Sequence, residues 1–282
     1  MATGASQTGV LLAAHFSVRY AGKPPVLHDV ALEIRRGEIL GLVGQSGSGK
    51  STLAMAVLGL LDRKRAQVEG TIKFQDCELL QLRERLLRGM RGRTLALVLQ
   101  SPLSSLNPAL RIRTQLKEAW RAHVSGSRGD CDAAIRAALE SVSLPSSDEF
   151  LRKYPSQMSV GQAQRVLIAM AVMHRPALLI ADEATSALDV ITQSEILTLF
   201  SRLNRETGTA ILYISHDLAS VSAICDRIAI LHDGQIVESG SRDQIFANPQ
   251  HEYTRRLIAA LPRIPQTISP AALAKDAAAG AL

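Results

Sequence analysis

The chain has 282 residues, 46% of them hydrophobic and 21% charged, which is long enough for one large domain or two modest ones with a substantial core. The formal net charge of +6 permits an acidic partner such as a nucleotide, a nucleic acid or lipid headgroups. Aromatic residues make up only 4% of the chain, which argues against a stacking surface for single-stranded nucleic acid, and we expect no nucleic-acid partner.

No apolar run approaches the roughly 18 residues that a membrane-spanning helix needs. The N-terminal stretch MATGASQTGVLL has neither the basic flank nor the long apolar segment of a signal peptide. The cysteines Cys77, Cys131 and Cys225 lie far apart without metal-ligand spacing. We interpret them as reduced thiols of a cytoplasmic protein.

Strand patterns dominate the first hundred residues. The predicted strands are VLLAAHFSVRY, VALEIRR, EILGLVG, GTIKFQ and TLALVLQ, with a helix in KSTLAMAVLGLL after the third. From Ser101 to about Met173 the patterns are helical, in TQLKEAWRAH, DAAIRAALESV and the segment after QMSVGQ. Beyond this insert, LLIADEA and TAILYIS predict buried strands around the helix SEILTLFSRLNRE, and RIAILHDGQIVESG predicts a hairpin with a DG turn. The alternation predicts an α/β sheet interrupted by one helical insert.

The segment GQSGSGKS, Gly44 to Ser51, fits the phosphate-binding P-loop pattern and lies between a predicted strand and a predicted helix. Its glycines allow backbone N–H groups to surround a β-phosphate, and the following helix directs its positive end at the same group. Lys50 can reach the β- and γ-phosphates, and Ser51 can bind Mg²⁺. The other candidate contacts of the loop are Gln45, Ser46, Gly47, Ser48, Gly49 and Thr52.

A second candidate feature is LLIADE, Leu178 to Glu183. Its apolar residues predict a buried strand that brings Asp182 and Glu183 to the carboxyl end, where ligands bind in open α/β sheets. Asp182 is suited to hold Mg²⁺ through water, and Glu183 can orient or deprotonate an attacking water as a general base. Such a strand is a weak signal by itself, and the P-loop makes it specific.

The stretch QMSVGQAQRV, Gln157 to Val166, has the pattern of a helix N-terminus. Ser159 and Gln162 match a capping box, in which each side chain accepts a hydrogen bond from a free backbone N–H. The apolar run that follows predicts a largely buried helix. On these residues alone the stretch is a capped core helix.

Six motifs occur in the order found in ATP-binding cassette (ABC) ATPases, which the chain resembles over about residues 10–260. They are the P-loop, Gln100 after a buried strand, SVGQ, LLIADE, SALD at 186–189, and His216 after ILYIS. The resemblance implies an α/β P-loop NTPase (RecA-like) core with an antiparallel β subdomain and an inserted α-helical subdomain. The implied boundaries are 1–100 for the first part of the core with the β subdomain, 101–175 for the helical subdomain, 176–240 for the second part of the core, and 241–282 for a C-terminal extension.

The resemblance also implies which residues bind ATP and Mg²⁺ within one subunit. Tyr20 resembles the aromatic residue that stacks on adenine. Gln100 resembles the glutamine that senses Mg²⁺ and water, and His216 resembles the histidine that contacts the γ-phosphate. With Glu183, these two residues form the implied catalytic set.

Two such domains dimerise head to tail in this family, so that each ATP lies between one P-loop and the signature helix of the other subunit. Ser159 and the backbone of Gly161 resemble the groups that touch the γ-phosphate, with Gln162 beside them. Asp189 resembles the residue that crosses between the subunits and helps to position the water.

Two residues depart from the family pattern. Val160 replaces the first glycine of the commonest signature, LSGGQ, but a valine is permitted at a first helical position, where φ is negative. We therefore expect that Val160 does not abolish the contact. Ala184 replaces the proline that commonly follows the catalytic glutamate, and we expect that the carboxylates stay in place and that ATP is hydrolysed.

Two further stretches resemble the oligopeptide, dipeptide and nickel importer ATPases. They are LQSPLSSLNP, 99–108, and IFANPQHEYTRRLIAALP, 245–262, with Glu252 where that group usually has proline. The resemblance implies a peripheral protein at the cytoplasmic face of the inner membrane, with a second and different ATPase chain, two permease subunits and an extracytoplasmic solute-binding protein. Because no cysteine follows Cys225, we expect no cysteine-ligated iron–sulfur cluster in the tail.

Other functions remain as alternatives on the sequence alone. An ABC exporter would share the nucleotide motifs but lack the two importer-like stretches. A soluble ABC ATPase acting on nucleic acid or ribosomes would typically carry coiled coils, zinc modules or two cassettes. A small-molecule P-loop kinase would not need SVGQ, SALD and His216.

Overall fold

The computed structural model of the protein describes residues 9–261. The N-terminal residues 1–8 and the tail 262–282, on which the expectations about a signal peptide and an iron–sulfur cluster partly depend, lie outside the described residues. The strands are β1 Val10–Tyr20, β2 Pro25–Arg35, β3 Ile39–Val43, β4 Ala66–Phe74, β5 Cys77–Glu78, β6 Leu95–Val98, β7 Leu178–Asp182, β8 Ala210–Ser215, β9 Arg227–His232 and β10 Gln235–Ser241. The helices are α1 Lys50–Val57, α2 Glu84–Met90, α3 Pro102–Ser105, α4 Ile112–Arg121, α5 Arg128–Ser141, α6 Asp148–Arg152, α7 Val160–Val172, α8 Val190–Thr207, α9 Leu218–Ile224, α10 Arg242–Ala247 and α11 Glu252–Ala259.

The strands form two sheets. One has four antiparallel strands in the order β2-β1-β4-β5, and the other has six strands in the order β10-β9-β3-β8-β7-β6. In the six-stranded sheet β9, β3, β8, β7 and β6 are parallel, and β10 is an antiparallel edge strand. The P-loop NTPase core and the antiparallel β subdomain are therefore confirmed.

The six-stranded sheet is buried on both faces, as parallel strands usually are. Along β3, Leu40 and Leu42 belong to a hydrophobic cluster shared with α1 and the antiparallel sheet. Ile39 and Val43 point to the opposite face and belong to the cluster formed with the helical insert, α8 and α9. This period-two alternation explains why the run EILGLVG is apolar throughout.

The DG turn of the last hairpin is confirmed. Asp233 and Gly234 both have positive φ, 46° and 76°, as a two-residue primed turn requires. Gly234 is also required by packing, since a Cβ there would lie 2.4 Å from the carbonyl oxygen of Val26. The turn therefore fixes the β9–β10 hairpin against strand β2.

The helical character of the insert is as predicted, whereas the boundaries at 100, 175 and 240 stay predictions. Strand β2 begins at Pro25, earlier than the sequence suggested, because proline is tolerated at the first residue of an edge strand. Helix α2 lies within the arginine-rich segment 83–93, and Arg91, directly after the helix, donates to the carbonyl oxygens of Leu58 and Gly59. None of the helices between residues 9 and 261 combines the length and apolar character needed to span a bilayer.

Candidate nucleotide-binding site

The glycine-rich loop connects β3 to α1, and two of its glycines have backbone conformations that other residues rarely adopt. Gly47 has φ of 83° and Gly49 has φ of 105°. A Cβ on Gly44 would lie 2.3 Å from the carbonyl oxygen of Leu231, and one on Gly49 would lie 2.6 Å from a methyl group of Leu27. The loop is therefore held tightly between β9 and β2, and larger residues would displace it.

Lys50, the first residue of α1, is only 5% exposed. Its Nζ donates hydrogen bonds to the carbonyl oxygens of Gly44, at 2.8 Å, and of Gln45, at 2.9 Å. Burial lowers the pKa of the Lys50 ammonium, and the nearby carboxylates of Glu183 and Asp182 counteract part of that shift. The lysine thus places a buried positive charge inside the loop, where phosphates would compensate it.

Asp182 ends strand β7 and is 6% exposed. Burial raises the pKa of its carboxyl group, and the nearby hydroxyl of Ser51 counteracts part of this shift. Among the described residues Oδ1 of Asp182 has no hydrogen-bond partner, and neither has the buried hydroxyl of Ser48. A buried carboxylate oxygen without a donor, beside a serine hydroxyl, fits a hard divalent cation such as Mg²⁺.

Glu183 lies between two cationic or titratable groups. Its Oε1 is 3.9 Å from Nζ of Lys50 and 3.4 Å from Nδ1 of His216. The residue has φ of 48°, a conformation that non-glycine residues rarely adopt, and its backbone N–H donates to the carbonyl oxygen of Ile214. The turn after β7 therefore directs this carboxylate to the end of the P-loop, within reach of the histidine that follows β8.

The other predicted residues of this half of the site lie at the same edges of the sheets. Gln100 is exposed and follows β6, in which Val98 is paired with Ala181, so that Gln100 lies at the carboxyl edge beside Asp182. Tyr20 is half-buried at the end of β1. The turn after Tyr20 leads into β2, the strand whose Leu27 packs against Gly49. The surface pocket that Tyr20 lines is also lined by the basic residues Arg63, Lys64 and Arg65.

The predicted capping box at the signature is confirmed. The Ser159 hydroxyl accepts from the backbone N–H of Gln162 at 3.2 Å, and Oε1 of Gln162 accepts from the backbone N–H of Ser159 at 3.3 Å. Val160 is the first residue of α7 and is 37% exposed, so a valine is accommodated at this helix start. Within residues 9–261 no hydrogen bond or ion pair joins this turn to the P-loop.

Gly161 packs against the start of α8. A Cβ on Gly161 would lie 2.7 Å from Cγ2 of Thr192. The Thr192 hydroxyl donates to Oδ2 of Asp189 at 2.7 Å, and Asp189 also accepts from the backbone N–H groups of Ile191 and Thr192. Asp189 is thus the N-cap of α8, and these hydrogen bonds lower the pKa of its carboxyl group.

Three residues that the sequence reading did not select connect these loops. Thr192 joins the signature to Asp189, as described above. Gln193 donates from Nε2 to Oδ2 of Asp217, the residue after His216, at 3.3 Å. Asp217 in turn caps α9 by accepting from the backbone N–H groups of Ala219 and Ser220. The position of Asp217 before an apolar run was a detectable cap signal, whereas the contacts of Thr192 and Gln193 depend on tertiary packing.

Comparisons with known proteins agree with this geometry. The ABC transporter family matches residues 27–186, and the family of the oligopeptide/dipeptide transporter C-terminal region matches residues 237–279. The dipeptide transport ATP-binding protein DppD of Bacillus subtilis (strain 168) is 38% identical over 246 residues, which cover 87% of this chain and 73% of DppD. The oligopeptide transport ATP-binding protein OppD of Lactococcus lactis subsp. cremoris (strain SK11) is 38% identical over 245 residues, 86% of this chain and 72% of OppD. The chain spans only 39% of the glutathione import ATP-binding protein GsiA of Salmonella typhimurium (strain LT2), to which it is 40% identical over 244 residues.

Solved structures show the same fold. A dimeric post-hydrolysis state of the ATP-binding cassette MJ0796 bound to ADP and Pi matches with a TM-score of 0.71 and 27% identity, covering 83% of this chain and 99% of that one. The structure of cbiO1 from Clostridium perfringens, part of the ABC transporter complex cbiONQ, matches with a TM-score of 0.74 and 26% identity, covering 90% of this chain and 97% of that one. The chain therefore belongs to the ABC transporter family, as an importer ATPase of the oligopeptide and dipeptide branch.

Proposed function

We propose that the chain binds and hydrolyses Mg-ATP to drive the import of small peptides or related solutes through a membrane permease. The observation that carries the proposal is the placement of Glu183 between Lys50 and His216 at the end of the P-loop. A buried lysine is suited to the charge of the β- and γ-phosphates, and a carboxylate beside it is suited to a water that attacks the γ-phosphate. Dipeptide and oligopeptide transport are the activities named for the relatives DppD and OppD, and glutathione import is the activity named for GsiA.

In the proposed mechanism the loop from Gly44 to Ser51 binds the phosphates through its backbone N–H groups. Mg²⁺, when bound, would neutralise phosphate charge, and Ser51, Asp182 and Gln100 would hold it directly or through water. Glu183 would accept the proton of the attacking water or orient that water. His216 would contact the γ-phosphate, and its position 3.4 Å from Glu183 would couple the two loops.

We further propose that a second cassette covers the surface formed by the SVGQ turn and the start of α8, with Ser159, Gly161 and Gln162 directed at the ATP of that subunit. Support comes from exposed apolar side chains at this face, since Val190 is 82% and Ile191 is 74% exposed at the start of α8. Large apolar side chains that are exposed together mark interaction surfaces. By the family resemblance the second cassette is a different chain.

The permease is proposed to bind a groove between β6 and the helical insert. The groove is open and mostly apolar, with a volume of about 290 Å³, and it is lined in part by Leu97, Leu99, His123, Leu167 and Met170. Gln100 directly follows the exposed Leu99, which lines the groove, and by the resemblance it would join the core to the helical insert. An amphipathic helix of the permease would fit such a groove, and its movement could follow the ATPase cycle.

These partners would place the chain at the cytoplasmic face of the inner membrane as a peripheral subunit. A solute-binding protein on the other side of the membrane would act on it only through the permease. The solute itself is selected by those partners, and nickel remains among the candidates because the sequence resemblance includes nickel importers.

The proposal is tested by isolating the chain from membranes through an affinity tag and identifying what co-purifies. We expect two permease subunits, a second cassette ATPase and an ATPase activity that rises when a peptide-loaded binding protein is added to the complex in proteoliposomes. Stimulation by Ni²⁺-loaded binding protein alone would identify a metal importer. Isolation with ribosomes or nucleic acid, and without a permease, would contradict the proposal.

A further inference from the structure

Helix α11, in the C-terminal region, contacts the P-loop through Tyr253. The side chain of Tyr253 is 7% exposed, and its ring stacks on the His232 ring with centroids 3.8 Å apart and planes 12° from parallel. The hydroxyl accepts a hydrogen bond from the backbone N–H of Gln45 at 3.2 Å. A residue 208 positions away in the chain therefore bonds directly to the second residue of the glycine-rich loop.

This hydrogen bond is made by the same peptide unit that binds the Lys50 ammonium. The peptide between Gly44 and Gln45 has its N–H directed at Tyr253, and its carbonyl oxygen, that of Gly44, accepts from Nζ of Lys50 at 2.8 Å. Because a peptide unit is planar, fixing its N–H side also fixes the direction of its carbonyl group. The phenol hydroxyl thus orients the carbonyl that holds Lys50.

The other side of the peptide is equally constrained. Gly44 has no room for a Cβ because the carbonyl oxygen of Leu231 would be 2.3 Å away, and Leu231 precedes the His232 on which Tyr253 stacks. The end of β9 therefore supports both the first glycine of the loop and the aromatic ring that bonds to the next residue. Tyr253 and β9 therefore contact adjacent residues of the loop from the same side.

Helix α11 is itself attached to the hairpin by hydrogen bonds to the half-buried Glu238. The Glu238 carboxylate on β10 accepts from the backbone N–H groups of Gln250, at 2.8 Å, and His251, at 3.0 Å. His251 is the N-cap of α11 and accepts from the backbone N–H of Tyr253 through Nδ1. Thr254 is completely buried. These contacts fix the place from which Tyr253 reaches the loop.

We propose that Tyr253 is a positioning residue for the P-loop, through which the C-terminal region becomes part of the nucleotide-binding site. The hydroxyl holds the Gly44–Gln45 peptide, and this peptide holds the Lys50 ammonium in the place where phosphates are expected. The inference rests on the proposed ATP site. It adds that α11 sets the affinity of that site for nucleotide without touching the nucleotide.

The test compares the full-length chain with Tyr253→Phe, which keeps the ring and its stacking and removes only the hydroxyl. We expect the dissociation constant for ATP, measured by calorimetry, to rise about three- to tenfold, as the loss of one neutral hydrogen bond predicts. In the complex with the permease, KM for ATP should rise by a similar factor while kcat stays within about twofold, because a residue that sets ground-state binding affects KM and not the chemical step. Backbone amides of residues 44–48 should exchange hydrogen faster, and those of α11 should keep their protection.

Glu252→Gln is the matched control. Glu252 precedes Tyr253 on the same helix, is exposed, and pairs with Arg256 rather than with the loop. This variant should keep the ATP affinity and the exchange rates of the wild-type chain.

The inference is wrong if Tyr253→Phe binds ATP as the wild-type chain does, or if exchange at residues 44–48 is unchanged. If the α11 amides of Tyr253→Phe also lose protection from hydrogen exchange, loosening of the helix could explain the lower affinity. Glu238→Gln distinguishes the two causes, since it weakens the attachment of α11 and keeps the Tyr253 hydroxyl. An equal loss of affinity in Glu238→Gln would then overturn the role of the hydroxyl, and an unchanged affinity would support it. A wild-type chain that binds no ATP would instead refute the proposed function.

Discussion

At the residue scale, the proposed roles in phosphate binding and in catalysis belong to different side chains: Lys50 would bind phosphate, and Glu183 and His216 would act in the chemical step. Lys50 is bound by loop carbonyl groups and is 3.9 Å from Glu183, so the two charges are neighbours and not a tight hydrogen-bonded pair. Glu183 has a positive φ, a backbone conformation that is unfavourable for a non-glycine residue, and this conformation directs its carboxylate to the site. A neutral residue of the same shape at this position should therefore leave the phosphate cradle intact.

We expect Glu183→Gln to keep ATP affinity within about threefold and to lower ATP turnover by at least about 100-fold, the range that general-base catalysis supplies. Phosphate release by the full complex measures turnover, and calorimetry measures binding. Glu206→Gln, an exposed position at the end of α8, is the control and should be fully active. Full turnover by Glu183→Gln would show that another group activates the water.

The packing of Gly161 against Thr192 in its own chain leaves no room for a larger residue, independently of any contact with ATP. We expect Gly161→Ala to lower the free energy of unfolding by about 1–3 kcal/mol or to displace the signature turn, since the new methyl group would lie 2.7 Å from Cγ2 of Thr192. Turnover of the full complex should fall at least about tenfold. Thr192→Ser in the same chain removes Cγ2, keeps the hydroxyl bonded to Asp189, and should restore most of both losses.

Gly129→Ala is the matched control for this clash, because Gly129 is also the second residue of a helix that begins with a capping box. Its added Cβ would meet only the Ser127 hydroxyl, at 3.6 Å, which is an ordinary contact. Calorimetric unfolding should show no loss of stability there. If Thr192→Ser fails to restore Gly161→Ala, the glycine is needed for a reason other than this contact.

Replacing Val160 by glycine should have little effect on stability or on ATPase activity. The side chain begins α7 and is 37% exposed, so Val160→Gly removes a partly covered side chain at a helix end and should lower the free energy of unfolding by no more than about 1 kcal/mol. We expect ATPase activity of the full complex within about twofold of wild type, measured at saturating ATP. An increase of several-fold would instead mean that the valine hinders the approach of the second cassette.

At the scale of elements, the attachment of α11 depends on one carboxylate. Burial opposes ionisation of Glu238, but the backbone N–H groups of Gln250 and His251, which donate to its carboxylate, outweigh that effect, so the pKa of Glu238 lies below its usual value of 4.5. A carboxyl group with a lowered pKa in the folded state stabilises the fold fully above its unfolded pKa. That contribution is lost as the pH falls through the folded pKa.

Glu238→Gln should therefore melt at a lower temperature than the wild-type chain near neutral pH, and the difference should shrink as the pH falls below 4.5. Differential scanning calorimetry of both chains from pH 7 to the acid limit of folding measures this. Asp243→Asn, an exposed carboxylate nearby on α10, should show no such pH-dependent difference. A constant difference at all pH values would assign the effect to lost packing and not to charge.

Local sequence determined most of the elements that build the site. The P-loop context, the strand ending in Asp182, the capping box at Ser159 and the DG turn each follow from a short pattern with one physical cause, and each is found in the structure. The residue roles and the subdomain boundaries remain predictions. Patterns of this kind are reliable because neighbouring residues supply both partners of the interaction.

Other elements could not be predicted because their partners are distant in sequence. Helix α2 lies in the arginine-rich segment 83–93, whose charge gives no sign of a packed contact, yet Arg91 bonds back to residues 58 and 59 at the end of α1. The hydrogen bond from Gln45 to Tyr253 spans 208 positions and has no local signal. Glu252 suits the first helical position of α11 because a carboxylate there interacts favourably with the helix dipole.

At the scale of the whole molecule, the proposed pairing of two cassettes makes the P-loop and the signature turn of one chain halves of different ATP sites. The P-loop packs on β9 and β2, whereas the signature packs on the start of α8, and within the described residues no polar contact joins them. Lys50 and Ser159 should therefore serve different ATP molecules. Variants at these two positions should disable opposite sites of the assembly.

Lys50→Ala removes the charge inside the loop of one site. Ser159→Asp keeps a good helix cap, since aspartate also accepts from the Gln162 N–H, but directs a negative charge at the γ-phosphate held by the other subunit. In complexes with a different second cassette, each variant should lose one site, and mixing the two purified complexes should restore nothing. Ser159→Asn, an uncharged cap of the same size, is the control and should keep most of the activity. A further experiment dissociates the two complexes and reassembles them together. If two copies of this chain form the dimer, half of the reassembled dimers would combine one Lys50→Ala chain with one Ser159→Asp chain, and each of these would have one intact site out of two. A return of about a quarter of the wild-type ATPase activity would therefore show a dimer of identical chains.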